Sequence, residues 1–278
     1  MADIDNIGRT AFLISEVRAE EANAEPRLFD DSYARHFSSP GSKAAFQGAQ
    51  RLGPLFSASL RVRTRWFDDV VLREVERGVA QVLILGAGMD CRALRFPRSG
   101  TRYFEVDAPG VLAFKGDRLA AAGVAPGAVT VSTDYLSEGL LDQLAAHGFD
   151  RGLSTLVLWE GNTYYLSPEK PRELLGRLAR SIADLRVAID YFGTAIVEGR
   201  SRLPSLNHGA ALLRQMGAPW QCGIDDLEAM AREAQLQVAE RATFAEVMQR
   251  LLPHIDLGQD GVHAEISYAL LRRPATGA

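Results

Sequence analysis

The sequence predicts an α/β fold, a doubly wound and mostly parallel sheet of seven strands behind an N-terminal helical segment. Three observations predict it. Val82-Leu83-Ile84-Leu85 is an unbroken apolar run that stops at Gly86, the pattern of a strand buried on both faces. From residue 80 to residue 191, five strand-length apolar runs alternate with helix-length segments, the succession of βαβ units. Two further strand patterns close the chain, at Gln235 to Arg241 and Glu265 to Arg272.

Residues 1–78 read as helical. Phe12-Leu13-Ile14 followed by Val17 has helical apolar spacing, and Pro26, Pro40-Gly41 and Gly53-Pro54 break the segment into pieces. Leu60 to Val75 is a longer helix that carries Arg61, Arg63, Arg65, Trp66, Asp68 and Asp69 straight into the first strand. After strand 80–85 come a short helix near 90–95, strand 102–106, and a helix opened by Pro109 and running to Ala122. Strand 128–132, then Asp134-Tyr135-Leu136, and a helix near 137–147 follow. Leu153 to Trp159 is a buried strand that ends at Glu160-Gly161-Asn162; Pro168 to Ala183 is a helix and Leu185 to Tyr191 a strand. Residues 193–216 read as helix and loop around Pro204, and Asp225 to Ala234 as a helix with Asp225 as N-cap and Glu228 three residues on.

Gly86-Ala87-Gly88 directs attention to a cofactor. Glycines at the carboxyl end of a buried strand let the backbone approach a ligand, and open α/β sheets bind ligands at those ends. A dinucleotide turn wants a third glycine where Cys91 stands, and an acid such as Asp90 repels a pyrophosphate. Both departures suit a ligand without phosphates, such as S-adenosylmethionine. Glu105 lies 19 residues beyond Gly86 and Asp107 lies 21 beyond it, the spacing of an acid that holds ribose hydroxyls. NAD also carries a ribose, so an NAD-dependent oxidoreductase on a similar sheet stays the alternative.

Composition narrows the class. With 278 residues, 47% hydrophobic and 24% charged, the chain suits one large domain or one domain with an extension. A net charge of −4 gives no electrostatic ground for nucleic acid. Cys91 and Cys222 make neither a disulfide framework nor a zinc spacing, and no metal motif is present. The apolar runs are too short to span a bilayer and the start lacks a signal-peptide pattern, so a cytoplasmic enzyme without membrane partners is expected.

Taken together, Leu85-Gly86-Ala87-Gly88-Met89-Asp90-Cys91-Arg92, Phe104-Glu105-Val106-Asp107-Ala108-Pro109 and Trp159-Glu160-Gly161 with Tyr165-Leu166 resemble the leucine carboxyl methyltransferase family. The match is strongest to its bacterial branch of polyketide-tailoring O-methyltransferases. Arg9-Thr10-Ala11, Arg63-Thr64-Arg65 with Asp68-Asp69, and Gly217-Ala218-Pro219-Trp220 with Gly223-Ile224 extend it over nearly the whole chain in family order. The resemblance implies a class I methyltransferase fold, with the last strand antiparallel. It also implies an N-terminal helical cap over residues 1–78. Residues 79–278 would form the S-adenosylmethionine-binding core, with an acceptor-site insertion around 193–224.

It further implies that Gly86 and Gly88 lie against the methionine part of S-adenosylmethionine and that Asp107, seconded by Glu105, holds the ribose. Asp134 with Tyr135 is implied near the adenine, Glu160 near the amino group, and Arg63, or else Arg65, on the methionine carboxylate. Asn162-Thr163-Tyr164 departs from the family's apolar pattern, which places Asn162 and Tyr165 in an acceptor pocket of changed character. The implied activity is O-methylation of a small-molecule carboxylate or hydroxyl, for example in natural-product biosynthesis; a non-catalytic relative is the other alternative. A carboxylate acceptor needs no general base and a hydroxyl does. Among the five histidines only His208, in the segment that would roof the acceptor, stands out to be tested as that base. The acceptor's identity and the oligomeric state are open at this stage.

Overall fold

A computed structural model describes residues 8–50, 54–202, 204–215, 217, 219–255 and 266–274. Gly53, Ala218, His263 and Glu265 lie outside the described residues. Three helices come first: α1 (Gly8–Glu20), α2 (Pro40–Gln50) and α3 (Pro54–Glu76). Pro40 and Pro54 therefore start helices where the sequence reading expected breaks; a first turn has no use for the missing N–H.

The sheet has β1 (Gln81–Leu85), β2 (Arg102–Asp107), β3 (Val129–Ser132), β4 (Ser154–Trp159), β5 (Asp184–Phe192), β6 (Gln237–Thr243) and β7 (Ile266–Arg272). Their order is β3-β2-β1-β4-β5-β7-β6, with β7 antiparallel to both neighbours and the first five strands mutually parallel. The helices α4 (Arg92–Arg95), α5 (Pro109–Ala121), α6 (Leu140–Ala146), α7 (Lys170–Ser181), α8 (Thr194–Val197), α9 (Pro204–Gln215), α10 (Leu227–Glu233) and α11 (Phe244–Leu251) complete the chain. The chain reverses its direction of growth between β1 and β4, the switch point at which such sheets open a crevice.

Both faces of the sheet are covered, which is why β1 reads as a continuous apolar run. Val82 and Ile84 face one layer, where Val62, Trp66, Phe67 and Val70 of α3 pack with Phe244 and Met248 of α11. Leu83 and Leu85 face the other, against Leu140 and Leu144 of α6 and Leu174 and Leu178 of α7. Among the described residues no helix is long and apolar enough to cross a membrane.

The cap of α10 is Asp226, whose carboxylate accepts the Ala229 N–H at 2.8 Å; Asp225 instead accepts the Thr194 N–H at 2.8 Å and ties the end of β5 to this loop. A long-range contact thus moved the expected cap by one residue. Gly223 is required at that crossing, because a Cβ there would stand 2.4 Å from the Thr194 Cα. A capping box starts α11, between Thr243 and Glu246.

Candidate cofactor cleft

The crevice at the β1/β4 switch point is a cleft of about 870 Å³, near the top of the usual range for small-molecule sites of roughly 300–1,000 Å³. Its floor is the turn after β1, where Gly86 and Gly88 hold left-handed φ values of 63° and 50° that favour glycine. The Gly88 N–H donates to Asp107 Oδ2 at 2.7 Å, and the Ala108 N–H donates to Oδ1 at 2.7 Å. Asp107, at the end of β2, therefore fixes the turn and still lines the cleft. Burial raises its carboxyl above the ordinary range, against the pull of those two N–H groups. Asp134 is exposed, accepts the Leu136 N–H at 2.8 Å, and lines the same wall with Tyr135.

Opposite these acids lies an ionic cluster. Glu160, one residue past β4, accepts from Arg92 Nη1 at 2.7 Å, from Arg63 Nε at 3.1 Å and from Arg18 Nη2 at 3.4 Å. Burial alone would raise the Glu160 carboxyl; Arg92, Arg18 and Arg63 together hold it below the ordinary value. Arg92 is fully buried and also binds Asp90 and Asp68 at 2.5 and 2.7 Å. The same balance takes Asp90 down to about 2: burial opposes ionisation, and Arg92, Arg18 and Lys115 overcome it. Asp190, inside β5, accepts the Gly161 N–H at 2.6 Å and sits 3.5 Å from Arg63 Nη1. There burial wins, and the Asp190 carboxyl is pushed up to about 6. Arg63 also donates to the Tyr164 hydroxyl at 3.1 Å. This cluster joins α1 and α3 to the carboxyl end of the sheet.

Arg63, Gly86, Gly88, Asp107, Asp134, Tyr135, Glu160, Asn162 and Tyr165 all line this one cleft. Three expected residues do not. Glu105 lies two residues back along β2, about 6.6 Å deeper in the sheet. It is buried and paired with Lys115 Nζ at 2.7 Å, so it cannot second Asp107 at the ribose. Arg65 faces away along α3, donating to Asp69 at 2.7 Å and to the Leu28 carbonyl at 2.6 Å. His208 is exposed on α9 and is not part of the cleft wall, which leaves it unsuited to act as a base there.

The sequence reading missed Arg18 and Asp190. Ala11, Ile14, Ser15 and Arg18 line the cleft at the i, i+3, i+4, i+7 spacing of one helix face. Arg18 is 6% exposed, and its Nε is buried with no hydrogen-bond partner among the described residues. An arginine that continues the apolar face of α1 was the available signal. Asp190 carried a similar one, as a lone acid in Ala188-Ile189-Asp190-Tyr191-Phe192. Among the described residues no group of three His, Cys, Asp or Glu side chains is placed to hold a metal ion.

Arg18, Asp107 and the pair Asp134 and Tyr135 give the cleft a cation, a carboxylate and an acid beside an aromatic ring, a set that fits a nucleoside carrying an amino-acid end. Asp90, beside the glycine turn, is held ionised by Arg92, Arg18 and Lys115.

Comparison with known proteins bears on the family and the fold. The family model described as leucine carboxyl methyltransferase matches residues 11–179, from α1 to α7. A relative from Parafrankia sp. (strain EAN1pec), named a "putative S-adenosyl-L-methionine-dependent methyltransferase", is 39% identical over 233 residues, 79% of this chain and 73% of its own. A relative of the same name from Mycobacterium tuberculosis (strain ATCC 25618 / H37Rv) is 33% identical over 203 residues, 69% of this chain and 67% of its own. A crystal structure of a "putative methyltransferase" from Thermobifida fusca YX superposes with a TM-score of 0.63 over 94% of both chains; at 16% identity it speaks for the fold alone.

Proposed function

This chain belongs to the leucine carboxyl methyltransferase family and is an S-adenosylmethionine-dependent methyltransferase, and on that premise we propose that it methylates an oxygen of a small molecule, a carboxylate or a hydroxyl. The observation that carries the reading is the mixed lining of the cleft. Asp107, Asp134, Glu160 and Arg18 supply charged groups to it, and Ile14, Leu136, Leu166, Leu213 and Pro219 supply apolar surface. Charged groups suit the cofactor and apolar surface suits the body of an acceptor.

In this reading Arg18, which lines the cleft, meets the methionine carboxylate. Arg63 serves mainly to hold Glu160, Tyr164 and Asp190. Glu160 has four lone-pair positions and spends three on arginines, so one remains for the amino group. Asp107 takes the ribose hydroxyls, and Asp134 with Tyr135 the adenine side. Helices α1 to α3 act as the cap, and residues 193–224 supply part of the acceptor wall.

The bound cofactor supplies a methyl group already activated by its sulfonium. An acceptor oxygen held in line with that methyl in the cleft would take it, with the carbon–sulfur bonding pair left on the cofactor's sulfur. The protein's work is to hold the two reactants in line and to exclude water, worth roughly 7–11 kcal/mol when alignment is good. A carboxylate arrives without a proton and gives a methyl ester; a hydroxyl must first release one.

The test is methyl transfer from labelled S-adenosylmethionine to a panel of aromatic acids, aliphatic acids and phenols. Mild base then releases label from a methyl ester and leaves an aryl methyl ether intact. Transfer confined to nitrogen, carbon or a protein C-terminus would refute the proposal.

A further inference from the structure

Asn162 lines the cleft, and its amide nitrogen is engaged by two backbone carbonyls. Its Nδ2 donates to the Leu85 carbonyl at 3.0 Å and to the Glu160 carbonyl at 2.9 Å. These two carbonyls lie on opposite sides of the switch point. The β1/β4 ladder ends at Ile84 paired with Leu158, so neither carbonyl has a strand partner across the crevice. Both strands then break away, β1 into the glycine turn and β4 into the Glu160-Gly161 turn. Asn162 spans the gap that the ladder leaves. It also seats directly on Gly86: a Cβ at that position would stand 2.6 Å from Nδ2 and 3.0 Å from Cγ. The absence of a side chain at Gly86 is thus needed for this contact, whatever ligand lies above.

We propose that Asn162 is a positioning residue that fixes the glycine turn against the Glu160 turn, and so sets the distance between the two halves of the cofactor site. The proposal rests on the reading that S-adenosylmethionine binds in this cleft. Each half alone is well held: Asp107 binds Gly88, and three arginines hold Glu160. Asn162 adds a direct tie between them at the point where the ladder stops. Two donors from one amide also restrict the crevice to one width, because both carbonyls must stay within hydrogen-bond reach of a single nitrogen.

The test uses Asn162→Asp, which keeps the size and removes both donors, and Asn162→Ala as a second variant. S-adenosylhomocysteine binding is measured by calorimetry and thermal unfolding in parallel. Asn162→Asp is expected to weaken binding about 10–100-fold, since two carbonyls lose their donor and meet a carboxylate. A lowered unfolding temperature with an unchanged dissociation constant would overturn the proposal, for that is what a merely structural amide would give. Gly86→Ala supplies an independent readout. Its loss of affinity is expected to be several-fold smaller in the Asn162→Ala background than in the wild type, because the amide it strikes is gone. Equal losses in both backgrounds would also overturn the proposal. Asp107→Ala separates the two levels of the argument. If it weakens binding and Asn162→Asp does not, only the positioning role fails; if neither does, the cofactor lies elsewhere.

Discussion

Glu160→Gln tests the electrostatics of the whole cleft. The carboxylate is nearly buried and accepts from Arg92, Arg63 and Arg18 at 2.7, 3.1 and 3.4 Å. Neutralising it leaves three buried guanidiniums short of one counter-charge, and breaking a buried pair costs about 3–5 kcal/mol. Part of that cost is relieved nearby. Asp190 stands 3.5 Å from Arg63, and Glu160 is one of the charges that help keep its carboxyl raised. At neutral pH the Asp190 carboxyl, at about 6, is already largely ionised, so with Glu160 neutral it remains as a counter-charge to Arg63. We therefore expect Glu160→Gln to lower stability by about 3 kcal/mol, a fall in Tm of roughly 10 °C for a chain of this size. Glu160→Gln with Asp190→Asn should lose more than the two single changes together, since the relief is then removed. Thermal unfolding of the ligand-free protein at neutral pH measures both. An unchanged Tm in the single variant, or strict additivity in the double, would show that the three arginines are compensated by something other than Glu160 and Asp190.

Asp107→Ala should weaken S-adenosylhomocysteine binding at least tenfold by calorimetry, since a hydrogen bond to a charged acceptor contributes about 1.5–3 kcal/mol; unchanged affinity would remove Asp107 from the site. Asp190→Asn should flatten the pH dependence of stability in the acid range. The folded carboxyl is raised from 3.8 to about 6, so its neutral form favours the fold at low pH and the benefit is lost as pH rises through about 6, a change of about 3 kcal/mol. An equal slope in the wild type and the variant, read by denaturant unfolding across that window, would contradict this. His208→Ala should leave turnover unchanged once an acceptor is found, because the ring is exposed on α9 outside the cleft wall; a marked loss of kcat would restore it as a base.

Much of this molecule was legible in the order of its residues. The run Val82-Leu83-Ile84-Leu85, the glycines after it and the acids that end β2 and β4 needed no coordinates to be noticed. Their meaning is local: a strand buried on both faces must be apolar throughout, a left-handed turn favours glycine, and an acid beyond a buried strand needs a partner. The same holds for the succession of elements, since the spacing of apolar residues follows from the helix and strand repeats. Element ends were less secure. Pro40 and Pro54 could end one helix or begin another, and the cap of α10 passed from Asp225 to Asp226 because Thr194 claimed the first carboxylate.

What only the tertiary structure decided was which charges meet. Glu105 and Asp107 share a face of β2 and look equivalent along the chain, yet Lys115 of α5 closes over one and leaves the other open to the cleft. Arg63 and Arg65 are two residues apart on α3, and their roles separate because one turns to Glu160 and the other to Leu28. Arg18 enters the site from α1, 142 residues before the carboxylate it contacts. Asn162 lines the cleft, and only the packing of β1 beside β4 shows that its amide also bridges the Leu85 and Glu160 carbonyls. Residue type and local repeat are properties of a short stretch of chain, and the sequence carries them outright. Pairing between side chains depends on distances of a few ångströms between distant segments, and those exist only once the helices have packed on the sheet.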